Sequence, residues 1–169
     1  PAADWPAGSM RVCYDRGTNA PRGSVPQPPH TYQVVGYINE HQVALGETTF
    51  GGREELIDPT GIVDYGSLMF IALERSKTAR EAIKVMADLV EEYGYGSDGE
   101  SFSISDANEV WYMEIMPKGY TPKVTKAGDT INADRGAAWV AIRIPDGYVS
   151  GHANAARITT FPLRDGKKS

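Results

Sequence analysis

The sequence predicts an α+β fold in which two helices lie on an antiparallel sheet. Strand-like segments come first, two amphipathic helical segments follow at residues 64–74 and 78–93, and further strand-like segments close the chain. Neighbouring strand-like segments are joined by short turns, which favours antiparallel pairing. Neither a GxGxxG motif nor a P-loop motif occurs, so the sequence does not indicate a parallel nucleotide-binding sheet.

The composition is that of a soluble globular chain, since 41% of its 169 residues are hydrophobic and 23% are charged. A chain of this length can bury one core, and we expect residues 1–169 to form a single partial domain. The net charge of −5 and the dispersed basic residues argue against a nucleic-acid partner. Because no apolar run reaches membrane-spanning length, we expect no membrane partner, and the compartment, cytoplasmic or exported, stays open.

The first half of the chain is expected to contain an arm and a hairpin. Residues 1–31 are rich in proline and glycine, which favours an extended arm draped on the rest of the domain. Residues 32–63 are expected to form a hairpin and a turn. Within them, residues 32–38 and 42–49 are the expected strands, joined by a tight turn.

The helical pair, at residues 64–95, begins with two capping signals. Asp64 is a suitable N-cap for the first helix, in which apolar residues recur at helical spacing. Thr78, followed three residues later by Glu81, forms the capping-box pattern that starts the second helix. We expect both helices to pack an apolar stripe against the sheet.

The remaining strands are expected within residues 101–161. Residues 101–105 and 110–116 alternate between apolar and polar side chains around a turn, which predicts a hairpin. Residues 117–137 are polar and glycine-rich and are expected to form an exposed loop. Residues 139–144 predict one more strand.

A candidate binding site lies where the expected strand at residues 42–49 ends. Glu47, Thr48 and Thr49 bring a carboxylate and two hydroxyls to this point, and Gly51-Gly52 allows the backbone to bend sharply. A strand with a purely structural role would not need a carboxylate on its apolar face. The alternative interpretation is a surface ion pair between Glu47 and Arg53.

A second candidate lies near the end of the chain, at Asn154 and Arg157. An asparagine between small residues can aim its amide N–H at an oxyanion, because nothing bulky blocks the approach. The arginine three residues later could steer a carboxylate. The alternative is a turn-forming asparagine followed by a surface arginine.

Cysteine and histidine give weaker signals. Cys13 is the single cysteine, and we favour a small buried hydrophobe over a nucleophile because no base lies nearby in sequence. His30, His41 and His152 show no metal-ligand spacing, so we expect no metal site. No Gly-x-Ser-x-Gly motif is present.

Several motifs occur in order along nearly the whole chain. They are Asn39-Glu40-His41-Gln42, Gly46-Glu47-Thr48-Thr49-Phe50-Gly51-Gly52-Arg53-Glu54, Asp64-Tyr65-Gly66-Ser67-Leu68, Arg75-Ser76-Lys77-Thr78-Ala79-Arg80-Glu81-Ala82, Asp106-Ala107-Asn108-Glu109-Val110-Trp111, Trp139-Val140-Ala141, Arg143-Ile144-Pro145-Asp146-Gly147, His152-Ala153-Asn154 and Arg157-Ile158. In this combination the chain resembles the C69 dipeptidases, which are N-terminal-nucleophile cysteine hydrolases related more distantly to penicillin acylases and bile salt hydrolases.

The resemblance implies an αββα sandwich and the cleavage of short peptides, chiefly dipeptides. In that family the nucleophile is an N-terminal cysteine whose own α-amino group serves as the base, so neither a histidine nor a metal or other cofactor is required.

The resemblance also assigns expected roles within the site. Thr49 occupies the place where related acylases use an asparagine near the oxyanion, and Asn154 matches the second polar element of the site. Glu47 is expected to bind the substrate's α-ammonium group beside Thr48. Arg53 or Arg157 is expected near the substrate's carboxylate.

The chain departs from the family pattern in three places. Family members place the cysteine upstream of the Pro-Ala-Ala-Asp segment at residues 1–4, so we expect the rest of a parent polypeptide to supply the nucleophile. The loop-like ends, residues 1–8 and 164–169, also suggest a piece of a longer protein. Arg16-Gly17 replaces a usual Trp-Asp, and Tyr37 replaces a residue that is often asparagine.

Two other functions stay open at this point. A non-catalytic binding or assembly module could keep the fold without the cysteine. A hydrolase could instead use Cys13 after processing of the preceding peptide bond. A homo-oligomer is compatible with either of these functions and with the dipeptidase.

Overall fold

A computed structural model describes residues 1–161; the polar stretch at residues 164–169 lies outside the described residues. The helices are α1 (Tyr65–Arg75) and α2 (Ala79–Tyr93), and a short 3-10 helix spans Glu54–Leu56. The strands are β1 (Ala3–Asp4), β2 (Met10–Tyr14), β3 (Pro21–Pro26), β4 (His30–Thr31), β5 (Val34–Val35), β6 (Ile38–Asn39), β7 (Ala44–Gly51), β8 (Gly99–Ser105), β9 (Val110–Pro117), β10 (Pro122–Val124), β11 (Thr130–Asn132) and β12 (Ala137–Ile144).

The principal sheet has six strands in the order β12-β9-β8-β7-β6-β5, and every neighbouring pair is antiparallel. Both helices pack on one face of this sheet, and the core lies between the two layers. The sheet contributes fully buried side chains to that core, among them Phe102, Ile104, Met113 and Ile115. The α+β prediction, with helices on an antiparallel sheet, is therefore confirmed, and so is the hairpin formed by β8 and β9.

The two predicted N-caps are confirmed. The Asp64 carboxylate accepts a hydrogen bond from the backbone N–H of Ser67 at 2.7 Å, and the Thr78 hydroxyl accepts one from the N–H of Glu81 at 3.1 Å. The carboxylate of Glu81 in turn accepts a bond from the N–H of Lys77 at 2.7 Å. These bonds satisfy N–H groups that the first turn of a helix leaves without partners.

Asp64 is expected to stabilise more than its own helix, because its carboxylate also accepts the backbone N–H of Arg16 at 3.0 Å. Asp64→Ala should lower the free energy of unfolding by about 1–2 kcal/mol, since two N–H groups would lose a largely buried acceptor. Urea denaturation measures this loss. Asp64→Asn keeps an acceptor oxygen and should lose less stability than Asp64→Ala. Equal stability of the alanine variant and the wild type would contradict the prediction.

The prediction of one strand over residues 32–38 is wrong. A turn at Gly36, whose φ is +59°, splits this stretch into β5 and β6, which pair with each other. A side chain at that position would be strained, and glycine is not. The predicted partner at residues 42–49 is present as β7, although β6 joins it through a single residue pair, Ile38 with Ala44.

The prediction of an exposed loop over residues 117–137 is only partly right, because most of these residues are exposed but β10 and β11 form a short hairpin there. Asn132 anchors this hairpin. Its amide donates to the carboxylate of Asp58 at 3.0 Å and to the carbonyl of Gly119 at 2.8 Å. The contact with Asp58 is remote in sequence, so local composition offers no sign of it.

The arm at residues 1–31 is more regular than expected. β2 and β3 form a hairpin, and β1 pairs with β4. Cys13 and Val25, one from each strand of the hairpin, are buried in the core. The hairpin thus brings the turn at residues 15–20 next to the N-terminus of α1.

Candidate functional site

The end of β7 presents alternate side chains to opposite faces of the sheet. Glu47 pairs in register with Phe102, and Thr49 with Glu100, so both lie on the face that carries the helices. Thr48 pairs with Ser101 and lies on the other face. The strand end therefore reaches two different environments within three residues.

Immediately after Thr49, β7 changes direction. The pairing with β8 shifts register between Thr49 and Gly51, and Gly51 has a φ of +74°. A bulge with a glycine in this conformation bends a strand and leaves one extra residue, here Phe50, unpaired, while Gly51 still pairs with Gly99. The sharp bend expected from Gly51-Gly52 is confirmed.

A segment from the other end of the chain crosses the end of β7. The Asn154 side-chain amide donates to the carbonyl oxygen of Thr49 at 2.7 Å. The Thr48 hydroxyl lies 3.1 Å from the carbonyl oxygen of Ala153 and 2.7 Å from Nδ1 of His152. The structure therefore brings together the two polar segments that the sequence singled out separately.

His152 is the one histidine among the described residues at this strand end. Because the Thr48 hydroxyl donates its proton to the Ala153 carbonyl, its oxygen accepts a hydrogen bond from the ring N–H at Nδ1. Burial lowers the pKa of His152, and the charge of Arg157 lowers it further, while Glu47 and Glu114 act in the opposite sense. The ring is thus held neutral and fixed beside the strand end.

Glu114 anchors the segment that carries Asn154. Its carboxylate accepts the backbone N–H groups of Arg157 and Ile158, the second at 3.2 Å, and lies 2.9 Å from the Tyr112 hydroxyl. The backbone of Arg157 is therefore tied to the sheet, while its side chain is exposed. Nothing in the sequence indicates this anchor, because Glu114 occurs in an ordinary alternating strand.

Glu100 is the most unusual carboxyl group of the site, with only 1% of its surface exposed. One oxygen accepts the Thr49 hydroxyl at 2.8 Å, no donor within residues 1–161 reaches the other, and the carboxyl group is hydrogen-bonded to that of Glu47. Burial raises the pKa of Glu100 to about 8, and the nearby charge of Glu47 adds to the rise, against the opposing effect of the Thr49 hydrogen bond. Glu100 is therefore protonated at neutral pH beside Glu47. Sequence reasoning missed it.

The stability of the protein should fall with rising pH because of Glu100. Its pKa is about 8 in the folded chain and close to 4.5 when unfolded, so the folded state holds a proton that the unfolded state releases between these values. The contribution is greatest below about pH 4.5 and is lost by about pH 8. Glu100→Gln, which cannot ionise, should lack this decline.

Urea denaturation at a series of pH values measures the effect. The stability of the wild type relative to Glu100→Gln should decrease steadily from about pH 5 to pH 8 and then level off. A difference that stays constant over this range would contradict the assignment.

Arg53 does not pair with Glu47, so the alternative interpretation of a surface ion pair between them is wrong. Its guanidinium lies 2.7 Å from the carboxylate of Glu55, and both side chains are well exposed. Of the two arginines singled out by the sequence, Arg157 lies at the site through its backbone, and Arg53 lies beyond the bend in β7.

Cys13 is 1% exposed, and burial raises the pKa of its thiol. A buried thiol held in its neutral form is a poor nucleophile. The structure therefore confirms the preferred interpretation of Cys13 as a small buried hydrophobe.

The other histidines are occupied elsewhere, His30 against Asp4 and His41 against the Tyr32 ring. Within residues 1–161, no three histidine, cysteine or acidic side chains are grouped so that they could hold a metal ion. No helix in this described part is long and apolar enough to cross a membrane.

Comparison of the sequence with known proteins identifies a family that it matches. The sequence model of peptidase family C69 matches residues 2–169. A probable dipeptidase of Latilactobacillus sakei is 31% identical over 133 residues, which cover 76% of this chain and 24% of that protein. A dipeptidase of Bifidobacterium longum is 27% identical over 146 residues, covering 76% and 24%, and a probable dipeptidase of Salmonella dublin is 27% identical over 124 residues, covering 70% and 24%. The chain spans about a quarter of the length of these curated relatives.

Proposed function

We propose that this chain, which belongs to peptidase family C69, forms the substrate pocket of a cysteine-type dipeptidase. The observation that carries the proposal is the hydrogen bond between the Asn154 amide and the Thr49 carbonyl. This bond places a polar amide at the end of β7, the strand that carries Glu47. Short peptides, chiefly dipeptides, are the proposed substrates.

Asn154 is the proposed oxyanion donor. A side-chain amide carries two N–H bonds, and the bond to Thr49 uses one of them. The second can stabilise the negative charge that develops on the carbonyl oxygen of the scissile peptide bond. Thr49 acts as a positioning residue, because its carbonyl fixes the amide while its hydroxyl is bonded to Glu100.

Glu47 is the proposed partner of the substrate's α-ammonium group. Thr48, the second proposed substrate-binding residue of this strand end, follows it in the chain and lies on the opposite face of the sheet. A dipeptidase must recognise a free amino terminus, and a carboxylate supplies a charge-assisted hydrogen bond to it. The sequence offers Arg53 and Arg157 for the substrate's carboxylate. The ion pair with Glu55 weakens the case for Arg53.

The nucleophile is proposed to be an N-terminal cysteine outside these 169 residues, supplied by the rest of the polypeptide. The buried position and raised pKa of Cys13 support this assignment. An N-terminal cysteine can use its own α-amino group as the base, which leaves His152 a structural role.

The αββα sandwich is proposed on the same basis. The face of the principal sheet that is turned away from the helices exposes apolar side chains, among them Val110, Met116 and Ile142. A second sheet from the rest of the polypeptide would cover them, because packed sheets bury the apolar residues of their facing surfaces.

The experiment is an assay of dipeptide hydrolysis by the full polypeptide that carries this chain, before and after thiol alkylation. We expect hydrolysis that alkylation abolishes, and a Cys13→Ser variant that keeps this activity and its sensitivity to alkylation. Inactivity of Cys13→Ser despite a native fold would show that the nucleophile lies within this chain. The absence of any peptide hydrolysis by the wild type would favour a binding module.

A further inference from the structure

A cavity of about 290 Å³ opens beside the proposed site, on the face of the sheet that carries the helices. Its walls come from the turn after β2, the N-terminus of α1 and the ends of β7 and β8. Thr49 and Glu100 lie on the sheet side, and Arg16 and Tyr65 lie opposite them. The cavity thus adjoins the strand end where Asn154 is fixed.

The sheet side of this cavity carries an acidic group. Glu100 lines the cavity although its side chain is almost completely buried, and its carboxyl group is hydrogen-bonded to the Thr49 hydroxyl and to the Glu47 carboxyl. A carboxyl group at a cavity wall keeps lone pairs that can accept a further hydrogen bond from a ligand. Glu47 and Glu100 lie close enough for their charges to act on each other.

Arg16 supplies the opposite charge. Its guanidinium lies 5.5 Å from the centre of the Tyr65 ring, and no carboxylate in the described part of the chain lies within ion-pair distance of it. The lack of a side chain at Gly66 makes room for it, because a Cβ there would lie 2.6 Å from Cδ of Arg16. Stacking on an aromatic ring leaves the N–H groups at the edge of a guanidinium available for a ligand.

The turn that carries Arg16 is held in place. The Asp15 carboxylate accepts the backbone N–H groups of Gly17 and Thr18 at 3.1 and 2.9 Å and pairs with Arg22 at 2.6 Å. The backbone N–H of Arg16 is bonded to Asp64. The backbone of Arg16 is therefore ordered before any ligand arrives, which lowers the entropic cost of binding.

The other charges around the cavity are largely compensated. Asp15 and Arg22 neutralise each other, Asp64 accepts two backbone N–H groups, and Asp98 is exposed at the rim. This leaves one uncommitted cation among the described residues that line the cavity, Arg16, opposite Glu100.

Tyr65 lines the cavity next to Arg16. Burial raises the pKa of Tyr65, the charge of Arg16 opposes the rise, and the charges of Glu47 and Glu100 add to it. The Tyr65 hydroxyl is thus within electrostatic reach of both sides of the cavity.

We propose that this cavity binds the carboxylate end of a zwitterionic dipeptide through Arg16, while Glu100 on the opposite wall and Glu47, which adjoins Glu100 outside the lining, lie toward its ammonium group. The inference rests on the proposed dipeptidase function and assigns the carboxylate to an arginine that the sequence analysis named only as a departure from the family pattern, not as a site residue. Glu100 lines the cavity and Glu47 adjoins it, so the acidic side of the site lies across the cavity from Arg16. Arg16 selects peptides with a free carboxyl terminus two residues from the amino terminus.

The test uses the full polypeptide and compares a dipeptide with the same dipeptide carrying a C-terminal amide. The wild type should prefer the free acid by roughly ten- to a hundredfold in kcat/KM, the range of a charge-assisted hydrogen bond. Arg16→Met should lose most of this preference, chiefly through a higher KM for the free acid, with little change for the amide. Arg16→Lys keeps the positive charge but not the paired N–H donors of the planar guanidinium. Its preference for the free acid should lie between those of the wild type and Arg16→Met.

Arg80→Met is the matched control. Arg80 pairs with Glu109 at the β8–β9 turn, at the opposite end of β8 from Glu100, so the preference for the free acid should persist. Arg53→Met and Arg157→Met test the two arginines that the sequence singled out. An unchanged preference in Arg16→Met, or its loss in Arg53→Met or Arg157→Met instead, overturns the inference. These outcomes require measurable hydrolysis by the wild type, whereas failure of the proposed function would abolish hydrolysis of both substrates.

Discussion

Asn154→Ala is expected to lower kcat/KM for dipeptide hydrolysis by about 10²–10³, mainly through kcat. The amide of Asn154 is fixed by the Thr49 carbonyl at 2.7 Å, so its second N–H can be directed at the developing oxyanion without reorganisation. Binding of the ground-state substrate depends on other groups, and KM should change little. The measurement is steady-state kinetics on the full polypeptide.

Asn108→Ala provides the matched control for this loss. Asn108 lies in the β8–β9 turn, where its backbone N–H, and not its side chain, is bonded to the Asp106 carboxylate. This variant should keep its activity. If Asn154→Ala retained kcat within a factor of two or three of the wild type, Asn154 would not be the oxyanion donor.

Phe102→Ala is expected to lower the free energy of unfolding by about 3–5 kcal/mol. Phe102 is fully buried beneath the helices and pairs in register with Glu47 on one side and Met113 on the other. Removing the ring leaves a cavity at the centre of the principal sheet. Because domains are only marginally stable, this loss should be visible as a large drop in the urea midpoint.

Val124→Ala serves as the control, because Val124 is 67% exposed on β10 and should change stability by no more than about 0.5 kcal/mol. Equal losses in the two variants would show that the residues under the helices do not form the main core.

Local sequence signals predicted the parts of the fold that local chemistry determines. Asp64 and Thr78 cap their helices because a short polar side chain before a helix accepts the N–H groups of its first turn. The turn at Asp106 between β8 and β9 formed for the same local reason, since its carboxylate accepts the N–H groups of Asn108 and Glu109.

The missed elements depend on contacts that are distant in the chain. The β10–β11 hairpin is held by the bond between Asn132 and Asp58, which no window of neighbouring residues contains. The error at residues 32–38 has a different cause. The prediction rested on the strand-like side chains of this stretch and ignored Gly36, where the backbone turns.

The candidate site was partly predictable. Glu47, Thr48, Thr49 and Asn154 stood out because polar groups at a strand end and an asparagine between small residues are recognisable in sequence. The structure joins Thr48 and Thr49 to the segment that carries Asn154. Glu100 did not stand out, since its significance comes from burial next to Glu47, and burial is a property of the folded chain.

The central claim is that the end of β7 recognises the amino terminus of a short peptide. The most direct measurement compares hydrolysis of a dipeptide by the full wild-type polypeptide and its Glu47→Gln variant, together with the N-acetylated form of the same dipeptide. The wild type should cleave the free dipeptide strongly and the acetylated one poorly. Glu47→Gln should lower kcat/KM for the free dipeptide by about tenfold or more. It should also lose the preference for the free dipeptide over the acetylated one. A Glu47→Gln variant that keeps full kcat/KM on dipeptides would contradict the claim.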